Sequence, residues 1–179
     1  MSNEYVLPDV LRLELKLVAC GSAVGNKSAK VNSYYAGNNN SFWKILYKTG
    51  LTASLLETKD YQDLLKYDIG LTDLAKKTAG VDAKIPYEAY DTALLIQKIN
   101  IYQPKVLCFN GKMPAALFYG YLNKQKWTTA QVKYGEQQHV SVCGRTIFFV
   151  APSTSGAARK YWEPLYWSDL ARLVKNTQV

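Results

Sequence analysis

The sequence has few of the residues on which many enzymes build their chemistry. Its 179 residues include one histidine, His139, and three cysteines that lie far apart and form no C-x-x-C pair. A disulfide framework or a zinc site is therefore not expected, and the isolated thiols favour buried cysteines in a reducing compartment. A catalytic triad would depend entirely on His139, which lies in an alternating stretch and is interpreted as an ordinary strand residue.

Long hydrophobic runs and a signal-like start are also absent. No apolar run approaches the roughly 18 residues of a membrane span, and residues 1–6 have neither a basic nor an apolar region. We therefore expect no membrane partner and no secretion, with a location in the cytoplasm or nucleoid, or in the nucleus of a eukaryote. Hydrophobic residues at 48% and charged residues at 20% exclude a disordered chain. The length predicts a single domain over 1–179.

Acidic residues are scarce relative to basic ones. The sequence has 14 Asp and Glu residues against 22 Lys and Arg residues, which gives a net charge of +8. An excess of this size favours a polyanionic partner such as nucleic acid. A basic surface that is merely solvated is the alternative.

The sequence does contain a regular alternation of strand and helix patterns. Leu15–Cys20 and Lys105–Asn110 are compact apolar runs, typical of central strands that are buried on both faces. Gln138–Val142 and Thr146–Val150 are interpreted as a hairpin. Helical patterns lie at 41–50, 58–66, 87–102, 113–122 and 164–175. We therefore predict a three-layer α/β/α domain with a mostly parallel central sheet.

Ligands bind such sheets beyond the carboxyl ends of the strands, in the loops that follow them. The first such loop, 21–40, begins with a damaged phosphate-binding pattern: Gly21–Ser28 matches G-x-x-x-x-G-K-[ST] except that Asn26 replaces the second glycine. No helical pattern follows Ser28, although a phosphate loop needs a helix N-terminus there. A nucleotide-binding enzyme is therefore kept only as an alternative.

The same loop carries residues that suit a planar ligand. Tyr34 and Tyr35 are adjacent aromatic residues in a polar segment, where they could stack on a base or simply cover the core. Asn40 could read a base edge or orient a water, or it could cap the helix that begins at Phe42.

The other two loops after strands are 110–112 and 151–160. The loop 151–160 offers hydroxyl and backbone amide groups next to Arg159 and Lys160, a combination that could hold phosphates. Together with the charge and the adjacent aromatic residues, this loop makes nucleic acid the favoured ligand.

Four stretches carry motifs of one family. Val18–Gly25 has a strand and Gly-Ser-Ala-Val-Gly where that family has a strand and GINPG, and Tyr35–Lys44 resembles F-A-x-P-x-N-R-F-W-K. Tyr67–Leu74 resembles Y-x-x-G-[VI]-T-x-L, and Ala151–Gly156 resembles P-[NS]-[PS]-S, with Arg159 matching an Arg that can come after it. In this order, the stretches resemble the mismatch-specific uracil-DNA glycosylase and thymine-DNA glycosylase family, within the uracil-DNA glycosylase superfamily. The resemblance covers most of the chain.

This resemblance implies a monofunctional DNA glycosylase of base excision repair. Such an enzyme flips a deaminated base, either uracil opposite guanine or hypoxanthine, out of damaged or mismatched double-stranded DNA and hydrolyses its N-glycosidic bond without a metal or cofactor. By position, Tyr35 matches the aromatic residue that stacks on the flipped base, and Gly21, Ser22 and Ala23 line the base pocket. The expected DNA contacts are Ser153, Ser155, Gly156, Ala157, Arg159 and Lys160. The protein is expected to act as a monomer.

The sequence departs from the family pattern at the catalytic position. The GINPG motif carries an Asn that positions the attacking water, and Ala23 stands at that position here. Asp73 and Asn40 are the candidates to replace it. A carboxylate can activate water and stabilise an oxocarbenium-like sugar, and a related branch, the hypoxanthine-DNA glycosylases, depends on an Asn in the second stretch. Asp73 is alternatively a helix cap or a surface residue, and Asp68 is a third candidate.

A second departure concerns the bulky residue that the family places in its last loop to fill the vacated base stack. Ala157 stands at that position, so Arg159 is the alternative residue to fill the gap. The missing Asn also leaves a second function open, that of a non-catalytic DNA-binding or damage-recognition relative.

Overall fold

A central sheet of five strands organises the part of the chain that the computed structural model describes, residues 5–177. The strands are β1 (Leu17–Val24), β2 (Ile69–Ala79), β3 (Val106–Asn110), β4 (Gly135–Glu136) and β5 (Ile147–Ala151). Their order across the sheet is β2-β1-β3-β5-β4. Neighbouring strands are parallel except β4, which pairs antiparallel with β5. The predicted mostly parallel sheet is confirmed.

Helices cover both faces of this sheet. The α-helices are α1 (Asn26–Val31), α2 (Phe42–Lys48), α3 (Thr92–Tyr102), α4 (Lys112–Leu122) and α5 (Pro164–Asn176). The 3₁₀ helices are Thr58–Tyr67, Asp82–Lys84, Tyr87–Ala89, Thr129–Gln131, Ser141–Cys143 and Gly156–Tyr161. Helices α2 and α5 pack on one face of the sheet, and α3 and α4 pack on the other. The predicted three-layer α/β/α arrangement is therefore confirmed.

The side chains of β1 explain why its sequence is continuously apolar. Leu17 and Ala19 enter the core shared with α2 and α5, whereas Val18 and Cys20 enter the core shared with α3 and α4. Successive side chains of a strand point to opposite faces, so a central strand covered on both sides needs apolar residues throughout.

Two predicted details of the pattern are wrong. Gln138–Val142 is not a strand, because the chain leaves the sheet after the two-residue β4. It buries Val140 and then Cys143, which ends the 3₁₀ helix Ser141–Cys143. His139 is consequently an exposed loop residue. The segment 21–40 is not one long loop, because β1 continues to Val24 by pairing with the long β2, and α1 follows at once.

The three cysteines are buried and unpaired, as predicted. Within residues 5–177, no helix is long and apolar enough to span a membrane. In the same range, His, Cys, Asp and Glu nowhere gather in a group of three or more that could hold a metal ion.

The topology places the site at one edge of the sheet. The parallel strands β1, β2, β3 and β5 all end at this edge, so the segments that follow them lie side by side. At the outer side of the sheet, the N-terminal segment runs antiparallel along β2. The amide of Val6 donates to the carbonyl of Lys76 at 2.8 Å, and Val10 pairs with Leu71.

Candidate active site

A cleft of about 1190 Å³ opens at the carboxyl ends of these strands. It gathers all but two of the residues that the sequence predicted for a site. The predicted residues that line it are Gly21, Ser22, Ala23, Tyr35, Asn40, Asp73, Ser153, Ser155, Gly156, Ala157 and Lys160. Arg159 is exposed and does not line the cleft, and neither does Asp68, which pairs with Arg12 and Lys16 instead.

The deepest part of the cleft, which we call the floor, consists of Gly21, Tyr35 and Asp73. Gly21 of β1 is paired in register with Asp73 of β2, and Asp73 is only 4% exposed. A Cβ on residue 21 would lie 2.4 Å from Asp73 Oδ1, so the carboxyl group occupies space that only glycine leaves free. Asp73 is therefore a buried strand residue, and the alternatives of a helix cap or a surface position are wrong.

The carboxyl group of Asp73 is in an unusual electrostatic state. Its Oδ2 atom is buried without a hydrogen-bond partner among the described residues. Burial raises the pKa of Asp73 to about 7, because an ion loses water there. The charge of Lys76 opposes this effect, and that of Asp9 adds to it. Both the acid and the carboxylate are therefore populated at neutral pH, which suits a group that must accept and return a proton.

Tyr35 is held with its hydroxyl group at the floor. Its backbone has φ 53°, and its ring stacks on Phe42 with 3.9 Å between ring centroids and 27° between ring planes. Its hydroxyl oxygen is buried and lies 3.6 Å from the place of a Gly21 Cβ. Burial and the neighbouring Asp73 carboxylate both raise the pKa of Tyr35 well above its usual value. Since Phe42 covers one face of the ring, the other face is the one on which a planar ligand could stack.

The sequence left two roles open for Asn40, that of a ligand-binding residue and that of a helix cap. Its Oδ1 atom accepts a hydrogen bond from the amide of Phe42 at 3.0 Å, but the N-cap of α2 is Ser41, so the prediction that Asn40 is the cap is wrong by one residue. Asn40 also lines the cleft, so this hydrogen bond does not remove its side chain from the site. Ala23 lines the cleft as well but contributes only a methyl group.

The segment 153–161, which we call the rim, borders the cleft, and all of its residues except Arg159 line it. Ser153 Oγ accepts from the amide of Ser155 at 3.3 Å, and Ser155 Oγ accepts from the amide of Ala157 at 3.4 Å, so serines begin the 3₁₀ helix Gly156–Tyr161. Arg159 and Lys160 are exposed in its last turn. The rim thus offers hydroxyls and cations to solvent.

A pair of residues that the sequence analysis missed joins the rim to the sheet. Asn110, at the end of β3, donates from Nδ2 to Thr154 Oγ1 at 2.9 Å and accepts at Oδ1 from the amide of Thr154 at 3.0 Å. The carbonyl of Thr154 then accepts from the amide of Ser41 at 2.9 Å, next to Asn40. The sequence predicts that the loops 110–112 and 151–160 could bind a ligand because they follow strands, but nothing in it indicates that these two side chains meet.

A third missed residue is Asp82, whose Oδ1 atom accepts from Ser22 Oγ at 2.5 Å at the mouth of the cleft. The phosphate-loop alternative gains no support from the structure. A short helix, α1, does follow β1, but Ser28 Oγ is used inside the fold, where it accepts from the amide of Ala36 at 3.0 Å. The Lys27 side chain contacts Asn38.

The fold is that of an α/β protein with a cleft at the carboxyl ends of its strands, which is where sheets of this kind bind ligands. The family model of the Uracil DNA glycosylase superfamily matches residues 8–171, so the chain belongs to that superfamily. Superfamily members act on DNA, and membership supports a DNA glycosylase function in general. The mismatch-specific branch stays a prediction.

A solved structure shares the fold. It is the solution NMR structure of a candidate uracil DNA glycosylase from Methanosarcina acetivorans, with a TM-score of 0.62 and 22% sequence identity. The match covers 94% of this chain and 96% of that chain.

Proposed function

We propose that this protein is a monofunctional DNA glycosylase that acts as a monomer on double-stranded DNA. It flips a deaminated base, either uracil opposite guanine or hypoxanthine, into the cleft and hydrolyses its N-glycosidic bond. The observation that carries this proposal is the Asp73 carboxyl group. It is buried at the floor, has one oxygen without a partner, and has a pKa of about 7.

In the proposed reaction, Asp73 stabilises charge and accepts a proton. As the bond between the base and C1′ breaks, the base leaves with the bonding electrons and the sugar gains positive charge. An ionised carboxylate in a site of low dielectric stabilises that charge strongly. Water then adds to C1′ and gives its proton to Asp73. The Asn40 amide orients this water, a task that the methyl group of Ala23 cannot perform.

The remaining cleft residues bind the DNA. Tyr35 stacks on the flipped base through the ring face that Phe42 leaves free. The backbone of Gly21 and Ser22, with Ala23, lines the base pocket. The phosphates and the gap in the duplex are contacted by Ser153, Ser155, Gly156, Ala157, Arg159 and Lys160. The net charge of +8 supports this assignment of a polyanionic partner.

A second candidate function follows from Ala23. Because the water-positioning amide of the family is absent from its usual place, the protein could bind damaged DNA without releasing a base. This alternative predicts salt-dependent DNA binding and no abasic product.

The test is base release from end-labelled duplexes that carry uracil, thymine, hypoxanthine or xanthine opposite a defined base, read as strand breaks after alkali. We expect release of uracil or hypoxanthine, a loss of at least about 100-fold in Asp73→Asn, and a clear loss in Asn40→Ala. Asp63→Asn, which alters a surface aspartate paired only with Lys66, is the matched control. If both site variants kept full turnover, the assigned chemistry would be wrong. Binding without release from any duplex would favour the non-catalytic alternative.

A further inference from the structure

A buried charge cluster lies beside β2, outside the cleft. Asp9 Oδ1 is 2.9 Å from Lys76 Nζ, and Asp9 Oδ2 is 2.6 Å from Lys98 Nζ. The side chains of Lys76, Lys98 and Asp9 are only 2%, 10% and 14% exposed. One carboxylate therefore faces two ammonium groups, and we call these three residues the Asp9 cluster.

Neutral groups complete the surroundings of the cluster. Thr72 Oγ1 donates to Asp9 Oδ1 at 2.8 Å, and Lys76 Nζ donates to the Tyr34 hydroxyl oxygen at 2.9 Å. The Tyr5 ring centroid lies 5.2 Å from one lysine nitrogen and 5.0 Å from the other. Across residues 5–177, no further carboxylate comes within ion-pair distance of either lysine. The charges of the cluster thus sum to +1.

The cluster and Asp73 share the strand β2. Thr72 precedes Asp73 and Lys76 follows it by three residues, so their backbones lie within about 10 Å of Asp73, with side chains directed to the other face of the strand. The titratable and charged groups that face Asp73 come from several elements. They are Asp9 of the N-terminal segment, Cys20 of β1, Tyr34 and Tyr35 after α1, Lys76 of β2, Asp82 of the 3₁₀ helix after β2 and Lys98 of α3. Buried charges are screened little by salt, so such neighbours count at longer range than surface charges do.

A purely structural cluster would not need this composition. Removing charges from water costs free energy, and apolar residues packed between two segments commonly stabilise a fold as much as a buried ion pair or more. A pair of one acid and one base would also leave no net charge. The second lysine adds a buried positive charge that Asp9 does not neutralise, while Asp73, on the same strand, is a buried acid with an unpartnered oxygen.

We propose that the net positive charge of the Asp9 cluster keeps the Asp73 carboxylate ionised near neutral pH, so that Lys76 and Lys98 are positioning residues for base release. This inference rests on the proposed role of Asp73. Burial favours the protonated acid, which cannot accept a proton from water. Both lysines favour the ionised form of Asp73, whereas Asp9 and Asp82 oppose it. The cluster therefore increases the ionised fraction of Asp73, which burial alone would reduce.

The experiment changes the cluster charge in a controlled way. Lys98→Met lowers the sum from +1 to zero and leaves the Asp9–Lys76 pair intact. Lys98→Arg keeps the sum at +1, and the double variant Asp9→Asn with Lys98→Met restores it to +1. Lys77→Met removes an exposed lysine of the same strand and serves as the control. The ¹³C carboxyl resonance of Asp73, identified by its loss in Asp73→Asn, is titrated by NMR in each folded protein without DNA.

We expect Lys98→Met to raise the pKa of Asp73 by about half a pH unit or more, since a nearby charge is removed. Lys98→Arg and the double variant should titrate close to the unmodified protein, and Lys77→Met should not move the titration. The pH profile of base release should shift in step. A structural role would instead predict that the double variant is damaged more than either single change.

An unchanged titration in Lys98→Met, or a further rise in the double variant, would overturn the inference. If Lys98→Met does not fold, Lys98→Gln replaces it as the variant with a cluster charge of zero, and its Asp73 titration is compared with that of the double variant. The NMR readout also separates this inference from the proposed function. If no duplex loses a base but the Asp73 titration follows the cluster charge, the electrostatic inference stands and the glycosylase proposal fails.

Discussion

At the floor of the cleft Asp73 is 4% exposed and packs directly against Gly21, whereas on the rim Ser155, Arg159 and Lys160 are exposed to solvent. The floor and the rim belong to the same region of the molecule, but their charged groups differ in hydration. A charge at the floor is desolvated and responds to its buried neighbours. A charge on the rim is hydrated and screened by salt.

This difference matches the two tasks that we propose. Bond cleavage needs a few groups held in fixed positions and shielded from water, since their electrostatic effects are then largest. Holding a phosphate backbone needs cations that can reach it in solution, and each contact contributes little. Variants at the floor should therefore have large effects on turnover and stability, and variants on the rim should have small effects on binding.

Among variants that keep the proposed catalytic side chains, the largest effect is expected from Gly21→Ala. The new Cβ would lie 2.4 Å from Asp73 Oδ1 and would push the carboxyl group away from the floor. We expect base release to fall about 100-fold, since a misplacement of this size can have that effect. Gly25→Ala, where a Cβ meets nothing within 4 Å, should lose much less. The measurement is single-turnover base release, and equal losses in the two variants would contradict a special role for the floor.

The next effect is on stability, and its pH dependence distinguishes Asp73 at the floor from acidic residues at the surface. Folding raises the pKa of Asp73 from 3.8 to about 7, so the folded state favours the protonated acid. The stability that this acid contributes is present at low pH and is lost as the pH rises through about 7. Asp73→Asn should therefore be more stable than the unmodified protein at pH 8, by about 2–4 kcal/mol, and nearly equal to it at pH 4.

Urea unfolding at the two pH values measures this difference. Asp63→Asn, in a surface ion pair, should show no such pH dependence. An Asp73→Asn variant that is destabilised equally at both pH values would mean that the carboxyl group is not kept protonated by burial.

A smaller effect on stability is expected at the hydrogen bonds between Asn110 and Thr154, which connect the rim to the sheet. Thr154→Val keeps the shape of the side chain but leaves Asn110 Nδ2 without its acceptor in a buried place. The expected loss of stability is about 1–3 kcal/mol, with weaker DNA binding because the rim loop loosens. Thr154→Ser keeps the hydroxyl group and should lose less. Chemical unfolding and DNA titration measure both quantities, and equal losses in the two variants would assign the effect to packing.

The smallest effect is expected on the rim itself. Arg159→Ala should weaken DNA binding a few-fold and reduce the slope of log K against log salt by about 1, the value for one lost phosphate contact. Base release at saturating DNA should stay the same. Arg172→Ala on α5, where Arg172 pairs with Asp169 at the surface, is the control. An unchanged salt slope in Arg159→Ala would remove this residue from the interface.

The sequence by itself determined the local framework of this protein. Continuous apolar runs predicted β1 and β3 correctly, because a central parallel strand is buried on both faces and its composition records that fact. The alternation of strands with helices predicted the three layers. The motifs then marked Asp73, Asn40 and Tyr35 before any contact was known, and the structure places all three at one cleft.

Only the tertiary structure decided which side chains meet. Asn110 and Thr154 are 44 residues apart in the chain, and Ser22 and Asp82 are 60 apart, so no local pattern relates them. The burial of Asp73 arises in the same way, because it depends on how close β1 comes to β2 at Gly21. A sequence records propensities over a few neighbouring residues, whereas burial, and the pKa that follows from it, is set by distant segments packed together.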